Sequence, residues 1–187
     1  MTAPSRARQR GTSMIEVLIT MVILALGLLG VAGLQTRLQL SEMEGYQRSQ
    51  AMILLEDMSH RLASNRNNAA SYATGVTAPL GAGMTCPTAM TTLTERDKRE
   101  WCMSLQGAAE KQGASDVGAM LGGRGCIEAR PNNEYMITVA WQGLGAVSAP
   151  PSTVACGANL YNGAMGSPCL EDKCRRAVTT LVRIAPL

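Results

Sequence analysis

The sequence predicts an α+β fold, in which one long N-terminal helix precedes a small antiparallel sheet. Apolar residues recur at helical spacing from Met14 to Leu62. Two later segments, 134–143 and 174–184, alternate apolar and polar residues as strands do. All six cysteines follow the apolar segment, which favours loops held by disulfides in an oxidising compartment. With 187 residues, the chain has room for one globular domain and an appendage.

The N-terminal segment is predicted to direct the chain to a membrane. Residues 1–11 are basic and lack apolar periodicity, which is typical of a targeting segment. From Met14 to Leu34 the only charge is Glu16, and this length of helix crosses roughly 30 Å of hydrocarbon. The preceding arginines predict a cytoplasmic N-terminus, with the rest of the chain on the other side. An ordinary cleaved signal peptide is the alternative, but the helical pattern continues past Gly33.

The helix is predicted to continue well beyond the membrane-length segment. Apolar residues separated by three or four positions persist to Leu62, which indicates one helix of about fifty residues. The segment SNRNN (64–68) is predicted to end it, because Asn tolerates the left-handed conformation that closes helices. Residues 69–91, rich in Ala, Thr, Gly and Pro, are predicted to form a loop with little regular structure.

A second helix is predicted over residues 92–111. Thr92 lies three residues before Glu95, which is a capping-box pattern. The following segment, 113–125, contains several glycines and is predicted to be a connector between elements.

The remaining sequence predicts the sheet. Residues 126–129 and 134–143 flank the turn-forming sequence RPNN and indicate a hairpin. A long loop, 144–173, then leads to the final strand, 174–184.

Composition narrows the class of function. The net charge of +3 equals the three arginines within residues 1–11, so the remainder of the chain is balanced. Because this remainder is balanced in charge, it offers no basic patch for nucleic acid. With only 3% aromatic residues, the chain also offers no stacking platform for bases. Disulfides are favoured over zinc because the cysteines are widely spaced and the only histidine, His60, lies far upstream. The sequence leaves their pairing open, and we expect only that the C-terminal three contribute at least one bridge; the six candidates are Cys86, Cys102, Cys126, Cys156, Cys169 and Cys174.

Nothing in the sequence predicts catalysis. It contains no nucleophile elbow, phosphate loop or metal motif, and no cofactor is expected. His60 is predicted to be a solvated or partner-facing side chain. The charged run ERDKRE (95–100) is predicted to be the solvated face of a helix. Arg175 and Arg176 are interpreted as edge-strand charges that prevent unwanted pairing, with a partner contact as the alternative.

The N-terminus resembles a known processing signal. The sequence GTSMIE (11–16), between a basic leader and a long apolar helix, resembles the class III signal of type IV pilins and type II secretion pseudopilins. The resemblance implies that a prepilin peptidase cuts after Gly11 on the cytoplasmic face and methylates the new N-terminus at Thr12. The family commonly has Phe at this first mature position, so Thr12 is a departure that affects methylation and packing more than cleavage.

The resemblance also implies a role for Glu16. Cleavage would place a free amine on Thr12, four residues away, at a helix N-terminus whose dipole favours an anion. Since an unpaired carboxylate is unfavourable at membrane depth, we expect Glu16 to pair with that amine or with a neighbouring subunit's amine and to set axial register. An interfacial glutamate that reaches water is the alternative. We also expect Gly27, Gly30 and Gly33 to loosen the helix on assembly, or alternatively to permit close helix packing.

The whole pattern implies three parts: a leader (1–11), a membrane-spanning and filament-core half of the helix (12–34), and a periplasmic head (35–187) that includes the amphipathic half. Within the family, the segments MLGGRGCI, YMITVAWQG and AVTTLVRI resemble PilV-type minor pilins. Six cysteines and a large irregular insertion also suit a low-copy subunit.

The resemblance implies a function in assembly. It implies a minor pilin in a priming or tip complex that initiates pilus assembly and supports adhesion and twitching motility. Its partners would be other minor pilins, the major pilin, a tip adhesin, the prepilin peptidase and the inner-membrane assembly platform. It would reside in the inner membrane and then in the pilus. A minor pseudopilin of a type II secretion system, and a membrane-anchored periplasmic binding domain that does not polymerise, are the alternatives.

Overall fold

The computed structural model describes residues 13–108, 111–113, 115–116, 118 and 120–185. The chain divides into two compact units, Met1–Glu42 and Met43–Leu187. Helix α1 covers Met14–Ser64, which confirms the prediction of one long N-terminal helix. A second helix and a small antiparallel sheet follow it, so the predicted α+β fold class is confirmed.

In the second unit, α1 contributes one face to the hydrophobic core. Its buried residues recur at intervals of three and four, which places them on one side of the helix; they are Gln47, Ala51, Leu55, Met58 and Leu62. The apolar members of this set share a single buried cluster with Trp101 of the second helix and with Ile137 and Val139 of the sheet.

The chain leaves α1 at the predicted place but with a different geometry. Asn65 has φ −107° and ψ 42°, outside the left-handed region, so the expected left-handed cap is wrong. The chain continues instead as a 3-10 helix over Arg66–Tyr72. The expectation of a loop with little regular structure over residues 69–91 is correct for most of the segment. The exceptions are the end of the 3-10 helix, where the Tyr72 ring is buried, and strand β1, Leu80–Gly81, which joins the sheet.

Helix α2 covers Leu93–Leu105 and begins as predicted. The Thr92 hydroxyl accepts a hydrogen bond from the Glu95 backbone N–H at 3.2 Å, and the Glu95 carboxylate accepts one from the Thr92 N–H at 3.0 Å. This capping box satisfies two of the free donors at the helix start. The helix ends six residues earlier than predicted, because Gly107 adopts φ +90°, a left-handed conformation that closes helices.

The larger sheet contains four antiparallel strands, in the order β1, β4 (Arg124–Arg130), β5 (Glu134–Gln142) and β6 (Arg175–Arg183). Strands β4, Arg124–Arg130, and β5, Glu134–Gln142, form the predicted hairpin. Its turn contains Asn132 and Asn133 at φ 62° and 56°, a conformation that Asn adopts more readily than most residues. Strand β6, Arg175–Arg183, pairs with β5 and forms one edge of the sheet.

The predicted connector, 113–125, has more structure than its glycines indicate. Strand β3, Ser115–Asp116, lies within it and forms a separate two-stranded ribbon with strand β2, Lys111–Gln112, which immediately precedes it. The end of the connector already belongs to β4. There Gly125 lies against the indole of Trp101, since a Cβ at this position would lie only 2.2 Å from the ring atom Cη2. The glycine is therefore needed for close packing between α2 and the sheet.

Candidate processing and assembly site

The candidate site begins at the N-terminus of α1. The Ser13 carbonyl accepts hydrogen bonds from the backbone N–H groups of Glu16, at 2.9 Å, and Val17, at 3.4 Å. Glu16 therefore lies in the first turn, where the helix dipole stabilises a carboxylate. Gly11 and Thr12 lie outside the described residues. Cleavage between them and pairing of Glu16 with the new amine stay predictions.

The part of α1 in the first unit has the character of a membrane segment. By length and composition, the helix is apolar enough to cross a membrane. The side chains of residues 13–42 are exposed. Gly27, Gly30 and Gly33 all lie within the helix, and a Cβ added at any of them would meet nothing within 4 Å. Nothing in the described residues of this chain therefore requires glycine at these three positions, and their loosening on assembly stays a prediction.

The head is cross-linked by its cysteines. The sequence left the pairing open, and the structure joins the six cysteines in three disulfides: Cys86–Cys102, Cys126–Cys156 and Cys169–Cys174. The second of these ties the long loop to strand β4, and the third closes a short turn immediately before β6. Both use cysteines of the C-terminal three.

A charged cluster, which we call the Arg61 cluster, joins α1 to α2. The Arg61 guanidinium donates through Nε to the Asp57 carboxylate at 2.9 Å. Through Nη1 it donates to Asp97 Oδ1 at 3.0 Å and to Glu100 Oε2 at 2.6 Å. The prediction that residues 95–100 form a solvated face is therefore wrong for Asp97, which is 6% exposed, whereas Glu100 is exposed as well as paired with Arg61.

The Arg61 cluster also affects ionisation. The Tyr72 hydroxyl donates to Asp97. Burial, followed by this hydrogen bond, raises the pKa of Tyr72 above its ordinary value of 10.0. Burial lowers the pKa of Arg61, but its hydrogen bonds to the three carboxylates outweigh that effect, and the net shift is upward. At neutral pH the cluster therefore holds a charged guanidinium and a neutral phenol.

A second ionic contact ties α1 to the end of the sheet. Glu44 Oε1 accepts hydrogen bonds from the Arg176 guanidinium at 3.2 Å and from the Leu144 backbone N–H at 3.1 Å. Arg176 donates further to the Gly145 carbonyl at 2.8 Å. Glu44 thus fixes both the start of β6 and the loop that follows β5.

Arg175 is buried in the head. Its side chain is 3% exposed and donates to Asp172 at 3.1 Å and to the Val154 carbonyl at 2.7 Å. The interpretation of Arg175 and Arg176 as edge-protecting charges is therefore wrong, because both guanidinium groups are used inside the head. Arg175 instead holds the disulfide-bearing loop against the sheet.

The described residues contain little that suggests a catalytic or metal centre. His60 is exposed on α1, as predicted. Within the described ranges no group of three or more His, Cys, Asp or Glu side chains is arranged to hold a metal ion.

Sequence reasoning missed the polar contacts that tie the head together. The Arg61–Asp57 pair has i,i+4 spacing, so the helical pattern was sufficient to predict it. The Arg61–Asp97 and Glu44–Arg176 pairs join residues 36 and 132 positions apart, and no local pattern marks them.

Comparison with known proteins supports the N-terminal assignment. Residues 6–32 match the family model described as the prokaryotic N-terminal methylation motif. The chain therefore carries the class III signal of type IV pilins. No curated protein and no solved structure matches the chain.

The motif has consequences at the level of the family. It supports the assignment of this chain to the type IV pilins or pseudopilins, and proteins with this motif are structural. It implies processing by a prepilin peptidase and partnership with other pilins. Together with the apolar helix, it is consistent with anchoring in a membrane.

Proposed function

We propose that this protein is a minor pilin of a type IV pilus, processed between Gly11 and Thr12 and assembled through α1. The observation that carries the proposal is the position of the methylation motif, 6–32, across the start of a long apolar helix. The cleavage point then lies just before the helix, and Glu16 lies in its first turn. The head, with three disulfides and a long irregular segment, supports a low-copy subunit rather than a repeating one.

The proposed chemistry of assembly is electrostatic. Hydrolysis of the Gly11–Thr12 bond removes the three arginines of the leader and creates an amine at Thr12. In hydrocarbon the Glu16 carboxylate is stable only when it is paired. A neighbouring subunit's amine provides that pair in a filament, and the pairing fixes how far the two helices are displaced along their axes. Minor pilins in a priming or tip complex, together with the major pilin and a tip adhesin, are the partners we propose.

The test uses the full chain in its own cell. Mass spectrometry of the mature protein is expected to find a methylated Thr12 as the first residue, and a Gly11→Val variant is expected to keep its leader. A Glu16→Gln variant is expected to be cleaved but to be absent from sheared pili. Glu42→Gln provides the matched control, since Glu42 is an exposed glutamate of the same helix beyond the apolar segment. A fully active protein that retains its leader would refute the proposal.

A gene deletion and the Glu16→Gln variant distinguish the alternatives. The methylation motif fits pseudopilins equally well. Deletion of the gene is expected to abolish surface pili and leave protein export intact; the reverse result identifies a pseudopilin. Normal function of the Glu16→Gln variant would favour an anchored binding domain that does not polymerise.

A further inference from the structure

A cavity of about 290 Å³ lies between the segment around strand β1 and the long loop. Most of its lining is apolar, and the apolar side chains are Ala78, Pro79, Ala82, Met84 and Leu160. Met84 and Leu160 are large apolar residues, yet they are 37% and 51% exposed. Among the described residues of the lining, the only charged one is Arg124, at the start of β4. The cavity therefore combines an apolar wall with a single cation.

The wall around β1 is held in place by three kinds of contact. Strand β1 pairs with β4 in the sheet. The Gln106 side-chain amide donates to the carbonyls of Gly81, at 2.9 Å, and Met84, at 2.7 Å. The disulfide Cys86–Cys102 ties the end of the segment to α2. Because this wall is fixed without a ligand, the cavity is preformed, which reduces the free energy that binding would spend on ordering it.

Arg124 is also fixed, with part of its guanidinium directed at the cavity. Its Nη1 donates to the Gly122 carbonyl at 3.2 Å, and its guanidinium carbon lies 4.9 Å from the centre of the Tyr161 ring. Its Nη2 lies beside Gly83, because a Cβ at Gly83 would be only 3.3 Å from that nitrogen, and Gly83 lines the cavity. These contacts orient the guanidinium but do not neutralise its charge.

Arg124 differs in its pairing from other arginines of the head. It is half-buried, and among the described side chains no carboxylate forms an ion pair with it. Five other arginines of the head do pair with an aspartate or glutamate; they are Arg61, Arg130, Arg175, Arg176 and Arg183. A partly buried charge is stabilised by pairing, and a carboxylate matches the donor geometry of a guanidinium best. A carboxylate is therefore the group that this side of the cavity is suited to bind.

The walls favour a small molecule over a peptide. A peptide bound beside β1 would need backbone hydrogen bonds to this segment, but the Gln106 amide already occupies the carbonyls of Gly81 and Met84. A hydrocarbon chain needs no such bonds, and it would cover the exposed surface of Met84 and Leu160. The volume of about 290 Å³ also suits a small ligand.

We infer that this cavity binds a free aliphatic monocarboxylate, with its hydrocarbon chain against Met84 and Leu160 and its carboxylate on the Arg124 guanidinium. The inference goes beyond the proposed function and does not rest on it, because no residue of the lining belongs to α1.

The test follows methionine methyl groups of the full chain by NMR in lipid nanodiscs, because Met84 reports on the cavity itself. A Met84→Leu variant assigns its signal. Octanoate is expected to shift the Met84 signal saturably and to leave that of Met165, which is 98% exposed outside the cavity, unchanged. Octanol lacks the charge and acetate lacks the chain. Each is therefore expected to bind at least about tenfold more weakly than octanoate.

Two variants test the two halves of the site. Arg124→Met keeps an apolar stem but removes the cation, and it is expected to weaken octanoate binding at least about tenfold without weakening octanol binding. Ala82→Leu fills the cavity from its apolar wall and is expected to prevent binding of both ligands. Arg130→Met is the matched control, since it makes the same change on the same strand outside the cavity, and it is expected to bind octanoate normally. Fluorescence of the buried Trp101 shows whether the head of each variant is folded.

Each contrary result has a definite meaning. A Met84 signal that octanoate does not shift overturns the inference. Equal affinity for octanol and octanoate, or octanoate binding that Arg124→Met leaves unchanged, overturns the assignment of the carboxylate to Arg124. Binding of a peptide that ends in a free leucine carboxylate, in place of octanoate, identifies capture of a chain terminus and also overturns it. In all of these cases the proposed function stands, because it is tested separately at Thr12 and Glu16.

Discussion

Replacement of Arg61 by methionine is expected to destabilise the head substantially. The change keeps much of the apolar stem but removes every hydrogen bond from the guanidinium to Asp57, Asp97 and Glu100. Asp57 and Glu100 are exposed enough for water to replace Arg61, with side chains 37% and 59% exposed. Asp97 is not, because its side chain is 9% exposed, and it keeps only the Tyr72 hydroxyl as a partner in the described residues.

The magnitude follows from that one buried carboxylate. Removal of one partner of a buried ion pair costs about 3–5 kcal/mol. Arg61 is 27% exposed, so some water reaches the site, and we expect a loss of about 2–3 kcal/mol in the free energy of unfolding. Asp97→Asn in the Arg61→Met background removes the unpaired charge. The double variant should therefore be more stable than the sum of the single effects predicts, by about 1 kcal/mol or more.

The assay is urea unfolding of the full chain in detergent with its disulfides oxidised, followed by tryptophan fluorescence. Trp101 is a suitable reporter, because its ring is fully buried and its Nε1 donates to the Leu54 carbonyl of α1 at 2.9 Å. Arg66→Met is the matched control, since Arg66 is exposed just beyond α1. Equal effects of Arg61→Met and Arg66→Met, or strict additivity with Asp97→Asn, would refute the reasoning.

Three further predictions use the same unfolding measurement. Gly125→Ala is expected to cost about 1–3 kcal/mol because its Cβ would overlap the buried indole, whereas Gly145→Ala, with nothing within 4 Å, should be neutral or slightly stabilising; equal effects would contradict the packing argument. Replacement of Cys126 and Cys156 by serine opens a loop with a sequence separation of 30 and should cost about 3–4 kcal/mol, and a loss near zero would be inconsistent with this bond. The raised pKa of Tyr72 keeps its phenol neutral in the folded state. The free energy of unfolding should therefore fall as pH rises above the ordinary pKa of 10.0, by at most about 1.4 kcal/mol per pH unit. Tyr72→Phe should flatten this dependence of stability on pH, and an unchanged slope in that variant would refute the assignment to Tyr72.

Local sequence patterns were sufficient to predict most of the elements. The helical spacing of apolar residues predicted α1, and the capping box placed the start of α2 at Thr92. Alternation and the RPNN turn predicted the hairpin and the last strand. Each of these signals lies within a few residues of the element it defines, and no distant contact is needed to interpret it.

The errors arose where distant contacts decide the local structure. The segment after α1 forms a 3-10 helix because Tyr72 is buried and bonded to Asp97 on α2, and no pattern near residue 72 indicates this. Helix α2 ends before the predicted residue because Gly107 adopts a left-handed conformation, although the sequence around it otherwise favours a helix. The cysteine pairing was undetermined for the same reason: it depends on the fold that brings the sulfurs together.

The charged residues show why polarity alone is a poor guide to exposure in this protein. Arg175 and Arg176 are consecutive arginines, but because successive side chains of a strand alternate, they lie on opposite faces of the sheet. Each finds a carboxylate on its own face: Asp172 for Arg175 and Glu44 of α1 for Arg176. The charges that would ordinarily prevent pairing at the start of β6 thus stabilise the head.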